Sequence, residues 1–179
     1  MQNTKKVRFL AQAAVIAALY TALTFAANAL NLAFNQIQFR FSEALTILPL
    51  FTPAAVPGLA LGCFLSNLAS PFGVADWIFG SAATLLGALG TRWLRHIRFH
   101  GVPLLSLLMP VLFNAVIIGF ELACFSGTGH FSLSGFAWPV FSAAAVSVAI
   151  GEAVICYGLG IPFFFALRRA DEKYPQLFA

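Results

Sequence analysis

What this chain of 179 residues has least of is charge. Asp, Glu, Lys and Arg together make up 9% of it, against roughly a quarter in a soluble domain. A soluble fold of this size would lack the polar side chains to cover its surface. With 60% apolar residues and a mean hydropathy of +0.89, the chain reads as an integral membrane protein. Lysine stands only at positions 5, 6 and 173, so no phosphate-loop lysine exists and the chain is not its own ATPase. There is no His-Glu-x-x-His, no Gly-x-Ser-x-Gly and no zinc cluster, which leaves hydrolysis without its parts. Cysteine is scarce too. Cys63, Cys124 and Cys156 are odd in number, far apart and each inside an apolar run, the pattern of small buried residues and not of a disulfide framework. No metal, cofactor or enzymatic chemistry is expected. The formal net charge of +4 does not point to nucleic acid, because the basic residues cluster at the ends of apolar segments. His96 and His100 have the spacing of metal ligands but sit beside three arginines and read as solvated, and His130 is a lone loop histidine.

What is present is a series of apolar runs. The first covers residues 7–30 behind Lys5, Lys6 and Arg8, with Ala27-Asn28-Ala29 resembling a signal-peptide cleavage site. Its uninterrupted apolar part, residues 9–26, exceeds the usual h-region of about 7–15 residues, so a retained helix is favoured. Along it Ala14, Ala18, Ala22 and Ala26 recur every fourth residue, with Ala13 and Ala17 beside them. Such a strip lets a second helix approach closely in lipid, and the sequence leaves open whether that helix is internal or a partner's. Further runs cover residues 54–69, 76–94, 103–125 and 139–162, the last with an apolar extension to Leu167.

Between the first two runs, after Asn31, Asn35, Gln36 and Gln38, lies the stretch everything else is arranged around, residues 38–53. Its apolar part, residues 44–51, is far shorter than the roughly 20 residues a helix needs to cross a bilayer. It also carries Arg40, Glu43 and a Pro49…Pro53 pair. Interrupted segments of this kind are tolerated only where they face protein or a water-filled cavity, so this one reads as a wall of a binding site. Ser42 is expected to N-cap it, with Glu43 at the positive end of the helix dipole.

Nine of the ten Lys and Arg residues fall in the N-terminal tail, the loop at 92–98 and the C-terminal tail, which the positive-inside rule places in the cytoplasm. An even number of crossings then separates the N-terminal tail from Arg92, so the short stretch counts as a span. The expectation is an all-α membrane protein: one domain over 1–179, six transmembrane helices with a short second span, and cytoplasmic tails at 1–6 and 170–179. Arg40 is then alone among basic residues on the outer side. There it joins Glu43, Asn67, Asp76, Trp77 and Glu121, with Asn114 two turns below Glu121 on the same helix face and Glu152 near the midplane. A charge at that depth costs about 2.5–3.5 kcal/mol on insertion scales and normally faces a cavity or a partner. Any one of these residues has a plain structural reading as an interhelical hydrogen bond. The set does not, because one arginine cannot neutralise four acids. The surplus of acceptors predicts a ligand rich in N–H donors, cations included, with Trp77 and nearby Phe residues offering faces to a planar ring.

These residues resemble a known family. The run Phe39-Arg40-Phe41-Ser42-Glu43-Ala44-Leu45-Thr46, with Leu48-Pro49 and Phe51-Thr52-Pro53-Ala54-Ala55, is similar to the queuosine-precursor transporter family (QueT). So are Asp76-x-x-Phe79-Gly80-Ser81-x-x-Thr84, Asn114-Ala115-x-x-x-Gly119 and Gly151-Glu152. The resemblance covers residues 7–169. It implies a substrate-binding S component of an energy-coupling-factor (ECF) transporter in the bacterial plasma membrane, with a ligand site near the outer face. It also implies docking through Ala14, Ala18 and Ala22 to an ECF module, meaning a transmembrane coupling subunit plus two ATPases. The ligand implied is a queuosine precursor or related 7-deazaguanine. Two alternatives remain beside it: a self-sufficient proton-coupled secondary carrier, and an S component for another vitamin. The lack of an evident internal repeat counts against the carrier.

Overall fold

A backbone in lipid must satisfy its own N–H and C=O groups, and helices do so within one segment. The computed structural model describes all residues except 1, 33–38, 126–130, 175–177 and 179; Asn35, Gln36, Gln38 and His130 therefore lie outside the described residues. The helices are α1 (Gln2–Ala29), α2 (Ala55–Asn67), α3 (Val74–Trp93), α4 (Leu104–Phe125), α5 (Trp138–Gly158) and α6 (Gly160–Lys173). A 3-10 segment, Phe41–Leu50, stands between α1 and α2, and a single 3-10 turn, Leu133–Gly135, precedes α5. Among the described residues there is no strand, only an isolated bridge between Phe99 and Val102 in the α3–α4 turn. Among the described residues, four helical stretches are long and apolar enough to cross a membrane: α1, α3, α4 and the joined α5–α6. Phe41–Leu50 and Ala55–Asn67 are apolar but shorter.

Two local expectations are corrected. Ser42 is not the N-cap of the short segment; Arg40 holds that position without a side-chain cap, and the Ser42 hydroxyl instead accepts from Thr24 Oγ1 at 2.8 Å. The segment begins two residues earlier than the cap reading requires, at Phe41, so Ser42 falls inside it. The run at 139–162 is not one helix either. Pro162 has no N–H for the Gly158 carbonyl, and glycines on both sides of Leu159 let the chain stop and restart there.

The short segment is the centre of the molecule. All six α-helices pack on it, and Ser42, Glu43 and every residue from Leu45 to Leu50 are buried. A 3-10 helix rises about 2.0 Å per residue, so its ten residues cover about 20 Å where an α-helix would cover about 15 Å. Runs of this length are uncommon, and this one is held at its far end from outside. Pro49 interrupts the hydrogen-bond ladder, and Arg92 of α3 donates Nη1 to the Pro49 carbonyl at 2.9 Å.

Around this strut the helices follow one another in space as in sequence, α1 on α2, α2 on α3, α3 on α4 and α4 on α5. The α1–α2 joint is the closest. A Cβ built on Gly62 would lie 2.7 Å from Tyr20 Cβ and 2.8 Å from the Ala17 carbonyl, and one on Gly58 2.8 Å from the Ala13 carbonyl. Glycine is what lets the two backbones meet. In α4, Pro110 cannot bond the Ser106 carbonyl; Thr91 Oγ1 of α3 donates to that carbonyl at 3.0 Å, so a proline defect becomes an interhelical contact.

The two ends of the bundle differ. Thr52 Oγ1 donates to Gln12 Oε1 at 2.9 Å, Arg92 reaches Pro49, and Arg98 lies 5.3 Å from the Phe164 ring centroid of α6. The basic clusters near α1's start, at the α3–α4 turn and along α6 therefore gather at one end. Arg40 and Asp76 stand at the other.

Candidate functional site

At the Arg40 end, the entry to the short segment and the α2–α3 turn bring polar groups into an otherwise apolar bundle. Arg40 leads into the short segment and Asp76 sits in the first turn of α3. Arg40 Nη2 lies 3.8 Å from Asp76 Oδ2, an ion pair too long for a hydrogen bond. Asn67, the last residue of α2, donates Nδ2 to the Asp76 main-chain oxygen at 2.9 Å and approaches Oδ1 at 3.5 Å. Gly80, one turn along α3, makes the space: a Cβ there would fall 2.3 Å from Asn67 Nδ2.

Glu43 is three residues beyond Arg40 and takes the hydroxyl of Tyr20 on Oε1. Tyr20 is fully buried. Thr24, one turn along α1, donates to the Tyr20 carbonyl at 3.0 Å and to Ser42 Oγ at 2.8 Å, fixing α1 against the short segment. On α5 the Cys156 thiol donates to Glu152 Oε2 at 3.7 Å. The same sulfur lies 3.7 Å from Thr46 Oγ1 and 3.8 Å from the Glu43 carbonyl. Glu121 of α4 is 1% exposed. It lies within electrostatic reach of Asp76 and Arg40, yet neither of its carboxylate oxygens has a hydrogen-bond partner.

The structure thus brings Arg40, Glu43, Asn67, Asp76, Glu121 and Glu152 together in one buried cluster, none more than 7% exposed. Two of the residues expected there show no hydrogen bond to it among the described residues. Asn114 spends its amide on its own helix, donating Nδ2 to the Pro110 carbonyl at 3.1 Å. Trp77 sets its ring edge-on to Phe64 at 6.3 Å, and its buried indole N–H has no partner. Tyr20, Thr24 and Cys156 were not anticipated. Tyr20 and Thr24 share a helix face at i, i+4, a weak signal inside an apolar run, whereas Cys156 sits one turn from Glu152 and was open to notice.

Counting what is left over sets the chemistry. Glu43 Oε2, Asn67 Oδ1, Asp76 Oδ2 and both oxygens of Glu121 are buried acceptors without a hydrogen bond, against one unpaired N–H, on Trp77, and the hydroxyls of Ser81 and Thr84. A buried polar group left unpaired costs about 1–3 kcal/mol, more when charged. Acceptors in excess call for donors from elsewhere. Among the described residues no group of three or more His, Cys, Asp or Glu is arranged to hold a metal ion.

The surface grooves are of another character. One is lined by Ala11, Val15 and Leu19 of α1, Leu45 and Leu48 of the short segment, and Phe163 of α6. On α1 beside it, Ala14, Ala18 and Ala22 are all exposed, as is Ala26.

Residues 10–169 match the family described as the QueT transporter. A queuosine precursor transporter, QueT, of Lactococcus lactis subsp. cremoris (strain MG1363) is 36% identical over 73 residues. The match takes in 41% of this chain and 43% of that protein's length. No solved structure matches.

Proposed function

The chain belongs to the QueT transporter family, a transport protein and not an enzyme, and from that premise we propose that it captures a queuosine precursor or related 7-deazaguanine as the S component of an ECF importer. The observation that carries this reading is the closed polar cluster with its surplus of unpaired acceptors. A guanine-like edge supplies neutral N–H donors to carboxylate and amide oxygens, and Arg40 supplies a donor to its carbonyl. The chain's own residues bind and orient; ATP hydrolysis belongs to partner chains.

Six crossings, with both ends in the cytoplasm of a bacterial plasma membrane, form part of the same proposal. The stretched rise of the 3-10 segment supports counting it as a crossing, since it covers more depth than ten α-helical residues. The gathering of the basic clusters at one end supports the orientation. Docking to the coupling subunit is assigned to Ala14, Ala18 and Ala22, whose exposure along one face leaves them open to a partner helix.

The test is mass spectrometry of small molecules released from the detergent-purified protein, followed by titration of the compound found. A stoichiometric 7-deazaguanine with displaceable binding is expected. A different vitamin would keep the S-component reading and discard the substrate. No ligand, and no binding across a vitamin and deazapurine panel, would overturn both. The competing reading is a proton-coupled carrier, favoured by the partnerless Glu121; it predicts uptake that survives removal of the ATPases.

A further inference from the structure

The end of the bundle away from the polar cluster is unbalanced in charge. Four of the six acids, Glu43, Asp76, Glu121 and Glu152, are buried in the cluster. The other two, Asp171 and Glu172, lie on α6, where Glu172 pairs with Arg168 at 3.1 Å. Nine of the ten Lys and Arg residues belong to this basic end. Lys5 and Arg8 on α1 have no acidic side chain in the surface around them, and among the described residues neither takes part in an ion pair.

Two depressions meet at that point. One is a mouth lined by Thr4, Lys5, Arg8, Gln12 and Thr52. The other is the apolar groove between α1, the short segment and α6. They share Arg8, Gln12, Thr52 and Phe178, so one trough runs from a cationic mouth into an apolar channel. Thr52 Oγ1 donates to Gln12 Oε1 at 2.9 Å, tying its two walls together where the depressions meet. In the channel Val15 and Leu19 are exposed, whereas Leu45 and Leu48 of the short segment are buried. Leu19 is eleven residues beyond Arg8 on α1, about 16 Å along the helix. That is about half of a hydrocarbon core of roughly 30 Å, the depth of one leaflet.

We propose that this trough binds an anionic phospholipid, its phosphate held by Lys5 and Arg8 and one acyl chain laid between α1, the short segment and α6. Arg8 offers a planar fork that meets two phosphate oxygens at once, and Lys5 adds a compact second charge. Basic residues beside a membrane segment are drawn to an anionic leaflet; the channel adds what a diffuse basic surface lacks, a fixed place for the chain. A zwitterionic lipid fits the channel but brings its own cation to the mouth, so charge chooses between the two. The flat alanine strip beside the trough suits a partner helix. A channel walled by Val15, Leu19 and Phe163 and ending in positive charge suits a chain with an anionic head. Leu45 and Leu48 belong to the segment that carries Glu43, so the lipid packs on the strut that also forms the polar cluster.

The experiment is native mass spectrometry of the full-length protein in detergent, with palmitoyl-oleoyl phosphatidylglycerol and the phosphatidylcholine of the same chains as probes. Wild type is expected to retain phosphatidylglycerol about tenfold more tightly or better, the scale of two basic residues at an anionic headgroup. Lys5→Gln combined with Arg8→Gln should abolish that preference. Arg95→Gln combined with Arg169→Gln changes the charge equally at residues that do not line the trough, and should keep the preference within a factor of about two. Val15→Trp, at an exposed position, should fill the channel and weaken retention of both lipids. Equal retention of the two lipids by wild type overturns the assignment, and so does an equal loss in both charge-changed pairs, which would mean a diffuse basic surface. Retention untouched by Val15→Trp overturns it as well, and loss of uptake alongside would give the channel to a partner helix. Displacement of phosphatidylglycerol by soluble glycerol phosphate would overturn it in favour of a free-phosphate site. The wild-type preference needs no variant, so the test stands where a variant does not fold.

Discussion

Helix α1 carries small residues on two faces, and only one of them is occupied. Ala13 and Ala17, with Ile16 and Tyr20, meet Gly58 and Gly62 of α2 at backbone distance. Ala14, Ala18, Ala22 and Ala26, displaced by one residue and hence by about 100°, are exposed. In sequence the two strips look alike, which is why an internal partner and an external one were equally open. The difference lies in what stands opposite. The inner strip faces glycines that let two backbones close up; the outer strip faces nothing among the described residues. A run of alanines is permission for a helix to approach, not a sign that one has.

Filling the inner face should do the most damage. Gly62→Val places a branched side chain where even a Cβ would sit 2.7 Å from Tyr20 Cβ and 2.8 Å from the Ala17 carbonyl. Neither backbone nor a fully buried tyrosine can give way cheaply, and overpacking of this kind costs about 1–3 kcal/mol or more. Because Tyr20 also holds Glu43, the shift carries into the polar cluster. Melting temperature in detergent, ligand binding and uptake should all fall together. A variant that melts and binds like wild type would show that the α1–α2 joint is looser than the glycines imply.

Filling the outer face should separate what the inner face couples. Ala18→Trp adds bulk to an exposed position, so melting and ligand affinity should match wild type within a factor of about two, the usual range for surface changes. Uptake should be lost, because the partner helix can no longer reach the strip. Uptake at wild-type level would take the docking face off α1's outer strip. A parallel loss of affinity would instead mean that the strip supports the site from within.

The same contrast explains how much could be read beforehand. Long apolar runs announced α1, α3 and α4, because lipid leaves no other way to pair a backbone. The buried acids were legible for a related reason: Glu121 and Glu152 are costly in such runs, so their presence there is informative. What stayed hidden depends on distance or on competition. Tyr20 reads as one more lipid-facing ring until Glu43, 23 residues away in sequence, comes to meet it. Asn114 has the right spacing to join Glu121, but its amide nitrogen donates one turn back along its own helix, to the Pro110 carbonyl. Nor does the short segment's composition distinguish a 3-10 helix from a fully buried α-helical turn; its stretched form is fixed by the six helices around it.

The finest test of the two faces is a single oxygen. Tyr20→Phe keeps the ring that packs among Ile16, Leu45, Leu48 and Leu59 and removes only the hydroxyl given to Glu43 Oε1. Volume is conserved, so the joint with Gly62 should stay closed and the exposed strip should be unaffected. Glu43 would then have both oxygens without a hydrogen bond, since Oε2 already lacks one, at a cost of about 1–3 kcal/mol. For a chain of this length that corresponds to a fall of several degrees in melting temperature, at roughly 2–4 °C per kcal/mol. Bound ligand should recover part of the loss if its donors reach Glu43, so the variant's melting temperature should rise more on ligand addition than the wild type's does. An unchanged melting temperature without ligand would mean that the hydroxyl contributes nothing to the fold. An equal ligand-induced rise in both proteins would place Glu43 outside the ligand's reach and leave the inner face of α1 a purely structural one.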